Sequence, residues 1–215
     1  MRTNVRIALV LALAGGAAML GFGPRYLAAD PPPRCPCSDP TPSNANINPA
    51  KFAGDYALHV CAFHVGKADP ALQVESHHYC TPLRDGVFQC VIFDKDRGNA
   101  KLIGVEYIVS DDIFKTLPAD EQKSWHPHDY EIRAGLLTMP GLKIDCEEKL
   151  LKGLLKSWGK VWHTWPDPKT DLPVGPPVLM WSAGKDGDVR KELVKARDER
   201  YKVDVDTIRK QREKL

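Results

Sequence analysis

Apolar and polar residues alternate along the middle of the chain in four short runs, which predicts β-strands. The runs are Tyr56 to Gly66, Gln73 to Cys80, Val87 to Asp94 and Lys101 to Ser110. They are rich in β-branched and aromatic residues, as half-buried strands usually are. Gly98 and Asn99 lie between the last two runs and favour a tight turn. The last two runs are therefore predicted to form an antiparallel hairpin.

The pattern becomes helical after Ser110. "DDIFKTL" predicts one helical turn, and a second helix should begin at Pro118 and stop at Pro127. Tyr130 to Met139 is interpreted as a return to strand. Asp145, with Glu148 three residues later, predicts the start of a helix through Lys160. The leucines and Trp158 give that helix one apolar face: Leu150, Leu151, Leu154 and Leu155.

These elements predict an α+β fold, a single domain with a mainly antiparallel sheet and flanking helices. "PVLMWS" near the end predicts one more strand, and the globular part should cover residues 52–187. Residues 188–215 mix charges of both signs, which is typical of a solvent-exposed helix on the surface; the alternative is a helix that binds a membrane surface or a partner.

The N-terminus has the pattern of an export signal. Arg2 and Arg6 precede an uncharged apolar run from Ile7 to Gly23, and small residues follow, so cleavage is expected after Ala29. The alternative is an uncleaved membrane anchor. Residues 30–51 are rich in Pro, Ser and Asn and predict a flexible tether. The expected location is therefore periplasmic or secreted.

Charge argues against a nucleic-acid partner. The chain has 30 basic and 28 acidic residues. Loss of Arg2, Arg6 and Arg25 with the signal would leave 27 basic residues against the same 28 acidic ones. A protein that neutralises several phosphates usually has a clear basic excess on one face.

Six cysteines in an exported chain favour oxidation, although a domain of this size does not need disulfides for stability. Cys35 and Cys37 lie in the tether. The other four lie in or near the predicted core: Cys61, Cys80, Cys90 and Cys146. They could form disulfides in any of three pairings or remain four buried thiols, and the sequence does not decide between these alternatives.

Histidines and glutamates supply the candidate chemistry. Pro127 forces His126 into an extended conformation, so His126 and His128 should point to the same side of the chain. His77 and His78 are neighbours on a strand and point to opposite faces; the alternation favours His78 inward and His77 at the surface. Glu106 interrupts an apolar strand, and a buried carboxylate there needs a counter-charge, a metal or a raised pKa.

The candidate metal ligands are six residues: His64, His78, His126, His128, Glu106 and Glu131. Two or three imidazoles with a carboxylate suit a divalent transition metal such as zinc or iron. No HExxH or CxxC spacing specifies such a site, and histidine pairs are often hydrogen-bonded loop residues.

Three further residues are candidates for the same pocket: Cys80, His163 and Trp125. Cys80 beside an imidazole could form a thiolate nucleophile, with a disulfide as the competing outcome. The tryptophans could line a ligand pocket or pack in the core. The chain has no GxSxG motif, P-loop or dinucleotide fingerprint.

Several stretches resemble an uncharacterised-domain family whose plant members are called oil body-associated proteins. They are "FHVG", "ESHHYC", "VFQCVIFD", "AKLIGVEYIVSDDIFKTLP", "SWHPHDYEI" and, less closely, "GKVWHTW" and "LPVGPPVLMW". The resemblance implies a link to seed lipid bodies for the plant members and no known reaction or cofactor. The export signal, the Cys-Pro-Cys tether and the charged C-terminus depart from the plant pattern.

Two hypotheses of different classes follow, and the sequence leaves open whether the protein is an enzyme. In the first, the histidines and glutamates converge to bind a metal or small ligand. In the second, a non-catalytic envelope protein associates with lipid or protein surfaces, and its histidines are structural.

Overall fold

A computed structural model of the protein describes residues 58–215. Its seven strands are β1 (Leu58–Gly66), β2 (Gln73–Arg84), β3 (Val87–Phe93), β4 (Leu102–Ser110), β5 (His126–Pro127), β6 (Ser157–His163) and β7 (Val178–Trp181). Its six helices are α1 (Asp111–Phe114), α2 (Ala119–Gln122), α3 (Asp129–Arg133), α4 (Ile144–Leu154), α5 (Lys191–Tyr201) and α6 (Val205–Arg212).

The sheet closes on itself. The strand order is β4-β3-β2-β1-β7-β6-β5, and β4 also pairs with β6 along its length. Six strands therefore form a ring in which every neighbouring pair is antiparallel. The predicted α+β class and antiparallel pairing are confirmed in outline. The closure was not predicted, because alternation along a strand gives its two faces but not its neighbours.

The hairpin formed by β3 and β4 is confirmed, with Cys90 opposite Glu106. β5 is only two residues long and pairs with β6 where β7 does not reach, so that His126 lies opposite Gly159. His126 is thus in extended chain, as its position before Pro127 predicted.

Two predictions about the second half of the chain are wrong. Tyr130 to Met139 is not a strand, because α3 covers its beginning and only Thr138 forms an isolated bridge, to Cys61. The helix predicted from Asp145 to Lys160 has its N-cap at Lys143 and ends at Leu154. Pairing with β4 makes Ser157–His163 a strand, because tertiary contacts override local helix propensity.

The interior of the closed sheet has two different halves. One half is filled by apolar side chains that pack together: Val74, Ile92, Ile103, Val161 and Met180. In the other half, Val60 and Ala62 of β1 pack against Leu151 of α4 and the segment after α3. His64, His78 and Glu106 lie on their strands between these two halves.

The C-terminal helices cover the outer face of β1 and β2. Phe63 and Val65 pack against apolar residues of this segment, among them Val189, Leu193 and Val205. The prediction of a solvent-exposed helix holds for most side chains but is wrong for Arg197 and Arg212, which are buried. They donate to backbone carbonyls of residues 132–137.

The surface position predicted for His77 is also wrong. Its ring is fully buried and lies near Tyr201 of α5, with a distance of 6.4 Å between the ring centroids. The alternation on β2 correctly placed His77 and His78 on opposite faces, but both faces of this strand are covered. A single strand does not reveal that a distant helix packs on its outer side.

The described residues contain one disulfide between two named partners, Cys80–Cys90, across β2 and β3. Cys146 is also disulfide-bonded, whereas Cys61 is a buried free thiol. None of the helices in residues 58–215 has both the length and the hydrophobicity to cross a membrane. The predicted export signal, the tether and the domain start at Phe52 lie outside the described residues.

Candidate metal centre

Four imidazoles and one carboxylate meet inside the closed sheet. Each ring presents its Nε2 atom to the cluster, and Glu106 lies at its centre. Glu106 Oε2 is 3.0 Å from His78 Nε2, and Oε1 is 3.3 Å from His128 Nε2 and 3.5 Å from His126 Nε2. His64 Nε2 is 3.0 Å from His78 Nε2. All five side chains are buried.

These atoms form two groups that share Glu106. His64, His78 and Glu106 make one, and Glu106, His126 and His128 make the other, with the atoms of each group within 4.8 Å of one another. Metal–nitrogen bonds of about 2.0–2.1 Å place neighbouring ligands of a tetrahedral ion about 3.3 Å apart. The separations around Glu106 are of this size.

Three of the four rings are held from behind through Nδ1. His64 Nδ1 is 2.8 Å from His163 Nε2, His78 Nδ1 is 3.3 Å from the carbonyl of Val60, and His128 Nδ1 is 2.8 Å from Ser157 Oγ. Histidines that bind metals generally use the second ring nitrogen in this way, which fixes the orientation of the ring.

The partners behind His78 and His128 also determine which nitrogen carries the hydrogen. Ser157 donates its only hydroxyl hydrogen to the carbonyl of Leu154, over 2.7 Å, so its oxygen accepts from His128 Nδ1. The carbonyl of Val60 can only accept from His78 Nδ1. A neutral imidazole protonated at Nδ1 keeps its lone pair on Nε2.

Both Nε2 lone pairs therefore face oxygens of the Glu106 carboxylate. Two acceptors at 3.0–3.3 Å repel each other unless a proton or a metal ion lies between them. Two protons would place two imidazolium cations beside one carboxylate, whereas a metal ion in either group replaces the repulsion there with coordination.

A glycine leaves room for this convergence. A Cβ atom at Gly159 would lie 2.0 Å from Glu106 Oε1 and 2.8 Å from Nε2 of both His126 and His128. Any side chain at this position would displace the three atoms. The sequence analysis missed Gly159 and Ser157, because a glycine or serine in an alternating strand has no distinguishing signal.

The charge of Glu106 has no conventional counter-ion. No lysine or arginine in residues 58–215 forms an ion pair with it. Its carboxylate is instead surrounded by imidazoles, whose Nε2 atoms lie 3.0–3.5 Å from its oxygens.

Burial keeps the rings of His64, His126 and His163 neutral. It lowers the pKa of His126 and of His163 to about 3, and it holds the pKa of His64 well below its usual range, with His78 and His163 adding to the effect. Neutral imidazoles are the form that binds metals. Nδ1 of His126 and Nδ1 of His163 are buried and have no hydrogen-bond partner in the described part of the chain.

The other predicted site residues have different fates. Glu131 is buried beside the cluster but belongs to neither ligand group. His163 lies behind His64 and supports it. Cys80 is in a disulfide, which excludes the thiolate nucleophile in this form. Trp125 is not in the pocket: it packs with Val109 and Phe114 and donates to Glu121.

A second cluster of similar residue types lies on the outer face of β1 and β2, and we call it the outer cluster: Cys61, Glu75 and His77. Here Arg200 of α5 pairs with both carboxylate oxygens of Glu75. His77 Nε2 is 3.1 Å from Glu75 Oε1, and its Nδ1 is 3.1 Å from His59 Nε2. These hydrogen bonds occupy the groups that a metal would need.

Comparison with known families assigns the chain to one of them. Residues 52–215 match the family described as "Protein of unknown function (DUF1264)". The chain belongs to this family.

Curated relatives agree with that assignment. Oil body-associated protein 1B of Arabidopsis thaliana is 41% identical over 155 residues, which is 72% of this chain and 64% of the relative. Oil body-associated proteins 2B and 2A of Zea mays are 46% and 43% identical over 68% and 76% of this chain. The matched region thus spans 60–65% of the length of these relatives. No solved structure matches the chain.

Proposed function

We propose that the protein binds a divalent transition metal, of the zinc or iron class, inside the closed sheet. The ligands come from the two groups that share the Glu106 carboxylate, one with Nε2 of His64 and His78 and the other with Nε2 of His126 and His128. The observation that supports this most strongly is the orientation of the rings. Nδ1 of His78 and of His128 is engaged from behind, so both Nε2 lone pairs point at an anion.

The chemistry of the donors suits the proposed ions. Neutral imidazoles with a carboxylate are typical ligands of zinc and iron, and the metal would remove the repulsion between the lone pairs and Glu106. A bound metal would act as a Lewis acid toward an oxygen of a water or ligand. Glu131 is then a neighbour of the metal rather than a ligand.

Elemental analysis of the purified protein tests the proposal. We expect one transition-metal ion per chain, and we expect the His78→Gln/His128→Gln double variant to lose it. The matched control is His77→Gln, which removes a buried histidine of the outer cluster and should leave the metal content unchanged.

Stability gives a second readout of the same experiment. A ligand present at a hundred times its dissociation constant stabilises the folded state by about 2.7 kcal/mol, so a chelator should lower the unfolding temperature of the wild type and not of the double variant. Protein that is purified without metal and takes up neither Zn²⁺ nor Fe²⁺ on titration would exclude the metal site.

We further propose that the protein is exported, as the N-terminal pattern predicts. The Cys80–Cys90 disulfide supports this, because disulfides persist in oxidising compartments. Mass spectrometry of the protein from its native source should find a chain that begins at Asp30. A mature chain that begins at Met1 and is retained in the reducing cytoplasm would contradict export.

An exposed apolar surface favours a second candidate function, association with a lipid surface. On the outer face of β4 and β6, Val105 lies opposite Trp162, and Tyr107 is next along β4. These three side chains are 37–47% exposed, and aromatic rings with a polar tip are common where protein meets lipid. The relatives are named for association with oil bodies.

Flotation with phospholipid vesicles tests this function. We expect the wild type to float with the vesicles and a Val105→Ser/Trp162→Ser variant to remain in the dense fraction. Wild type that does not float would exclude this function.

A further inference from the structure

A cavity lined mainly by apolar side chains adjoins the candidate metal centre. It has a volume of about 260 Å³. Side chains of the strands, of α4 and of the segment after α3 form its walls, among them Leu58, Val60, Phe88, Ile108, Leu137 and Leu154. Polar groups are concentrated at one place, where the imidazoles and Glu106 border the same space. The cavity is therefore polar where it meets the imidazoles and Glu106, and apolar along its other walls.

The cavity reaches the protein surface at α4. Lys149 and Gly153, which are four residues apart on one face of this helix, both line it and both are exposed. A Cβ atom at Gly153 would meet nothing within 4 Å, so the wall is open at this position. A molecule can thus extend from the metal centre toward α4.

Glu131 presents a polar group to this space. Its side chain is 2% exposed and lines the same cavity as the imidazoles. A protonated carboxyl group donates one hydrogen bond, and an acceptor oxygen on a bound molecule would receive it.

The net charge of the proposed metal centre favours a particular head group on a bound molecule. A divalent cation and the Glu106 carboxylate leave one positive charge, which a single anionic oxygen group would neutralise. Buried charges are tolerated when they are paired in this way. A carboxylate offers one oxygen to the metal and one to Glu131.

We propose that the cavity binds an unbranched alkyl carboxylate of medium length, with its carboxylate at the metal and Glu131 and its alkyl chain along the apolar walls toward α4. This inference rests on the proposed metal site for the head group and on the cavity for the chain. At about 30 Å³ for each water-sized or methylene-sized group, the volume holds roughly nine of them. Octanoate has this size.

Calorimetric titration of the metal-loaded protein with butyrate, hexanoate and octanoate tests the inference. Each added methylene should tighten binding about four-fold, since a buried methylene contributes about 0.8 kcal/mol. Octanol, which has the same chain without the charge, should bind at least ten-fold more weakly than octanoate. Affinity that is independent of chain length, or equal for octanol and octanoate, would overturn the proposal.

Two pairs of variants locate the ligand. Glu131→Leu should weaken octanoate at least ten-fold, whereas Glu131→Gln, which keeps a hydrogen-bond donor, should retain most of the affinity. Gly153→Leu should obstruct the opening and weaken octanoate, whereas Lys152→Leu, at an exposed position that does not line the cavity, should not. Equal affinities within either pair would contradict the placement.

The proposed metal site and the proposed carboxylate ligand can be contradicted by different results. A protein that contains metal but binds none of the carboxylates overturns the ligand and leaves the metal site standing. Octanoate binding that persists unchanged after the metal is removed overturns the assignment of the carboxylate to the metal. Protein that takes up no metal is detected by elemental analysis before any carboxylate is added.

Discussion

The cluster around Glu106, which we call the inner cluster, has residue types similar to those of the outer cluster, but its carboxylate has different partners: His64, His78, His126 and His128. Each has histidine and glutamate within a few ångströms on β1 and β2 or their neighbours, and each is largely buried. In the outer cluster Arg200 neutralises Glu75. In the inner cluster the partners of Glu106 among residues 58–215 are imidazoles and include no lysine or arginine, and an apolar cavity lies beside it.

The difference shows that a set of metal-binding residue types does not by itself make a site. An arginine on the carboxylate uses the oxygens that a metal would need and supplies the charge that it would bring. The inner cluster has no such partner, and hydrogen bonds at Nδ1 fix the orientation of its rings. Its carboxylate therefore still needs a cation to balance its charge.

The largest expected effect comes from filling the space at Gly159. Gly159→Ala places a methyl group 2.0 Å from Glu106 Oε1, so we expect loss of the metal and a fall in the free energy of unfolding of about 3 kcal/mol. Elemental analysis and urea unfolding measure the two effects.

The matched control is Gly153→Ala. Gly153 lies within α4 with open space around it, and alanine there should raise the free energy of unfolding by about 0.5–1 kcal/mol. If both variants behave alike, the close approach at Gly159 has no role in the inner cluster.

Substitution of Arg200 tests the difference between the two clusters in the outer one. Arg200→Met leaves Glu75 without its charged partner, and loss of hydrogen bonds to a charged group should lower the free energy of unfolding by about 2 kcal/mol. If the arginine is what excludes a metal from the outer cluster, the variant should bind a second zinc ion through Cys61, Glu75 and His77.

Lys195→Met is the control for Arg200→Met. Lys195 is an exposed residue of the same helix in a surface ion pair, and such pairs contribute little to stability. An Arg200→Met variant with wild-type stability and zinc content would mean that the outer cluster is not defined by its arginine.

The smallest effect is a pH dependence of the outer cluster. Burial opposes ionisation of Glu75, but hydrogen bonds with His77 and Arg200 lower its pKa from 4.5 to about 2. A carboxylate with a lowered pKa stabilises the folded state fully above pH 4.5, and this contribution is lost as the pH falls toward 2. Thermal unfolding should show the advantage of the wild type over Glu75→Gln shrinking through that window. Parallel pH curves would contradict the assigned partners.

The sequence determined much of the local structure. Alternation identified β1 to β4 and the β3–β4 hairpin, and Pro127 correctly placed His126 in extended chain. His126 and His128 both point at Glu106 as predicted, but His128 has helical dihedral angles at the start of α3. Glu106 was recognised because a carboxylate in an apolar strand must be compensated. These inferences depend on neighbours along the chain, which the sequence gives directly.

Only the tertiary structure decided how these pieces meet. The closure of β4 on β6 brings Gly159 beneath Glu106, and β5 brings two histidines there from a different part of the chain. The same closure turned a predicted helix around Trp158 into a strand, and packing of α5 buried His77 and Arg197. The physical reason is that burial and pairing depend on residues far away in the sequence, whereas the local pattern specifies only which side of a strand a residue occupies.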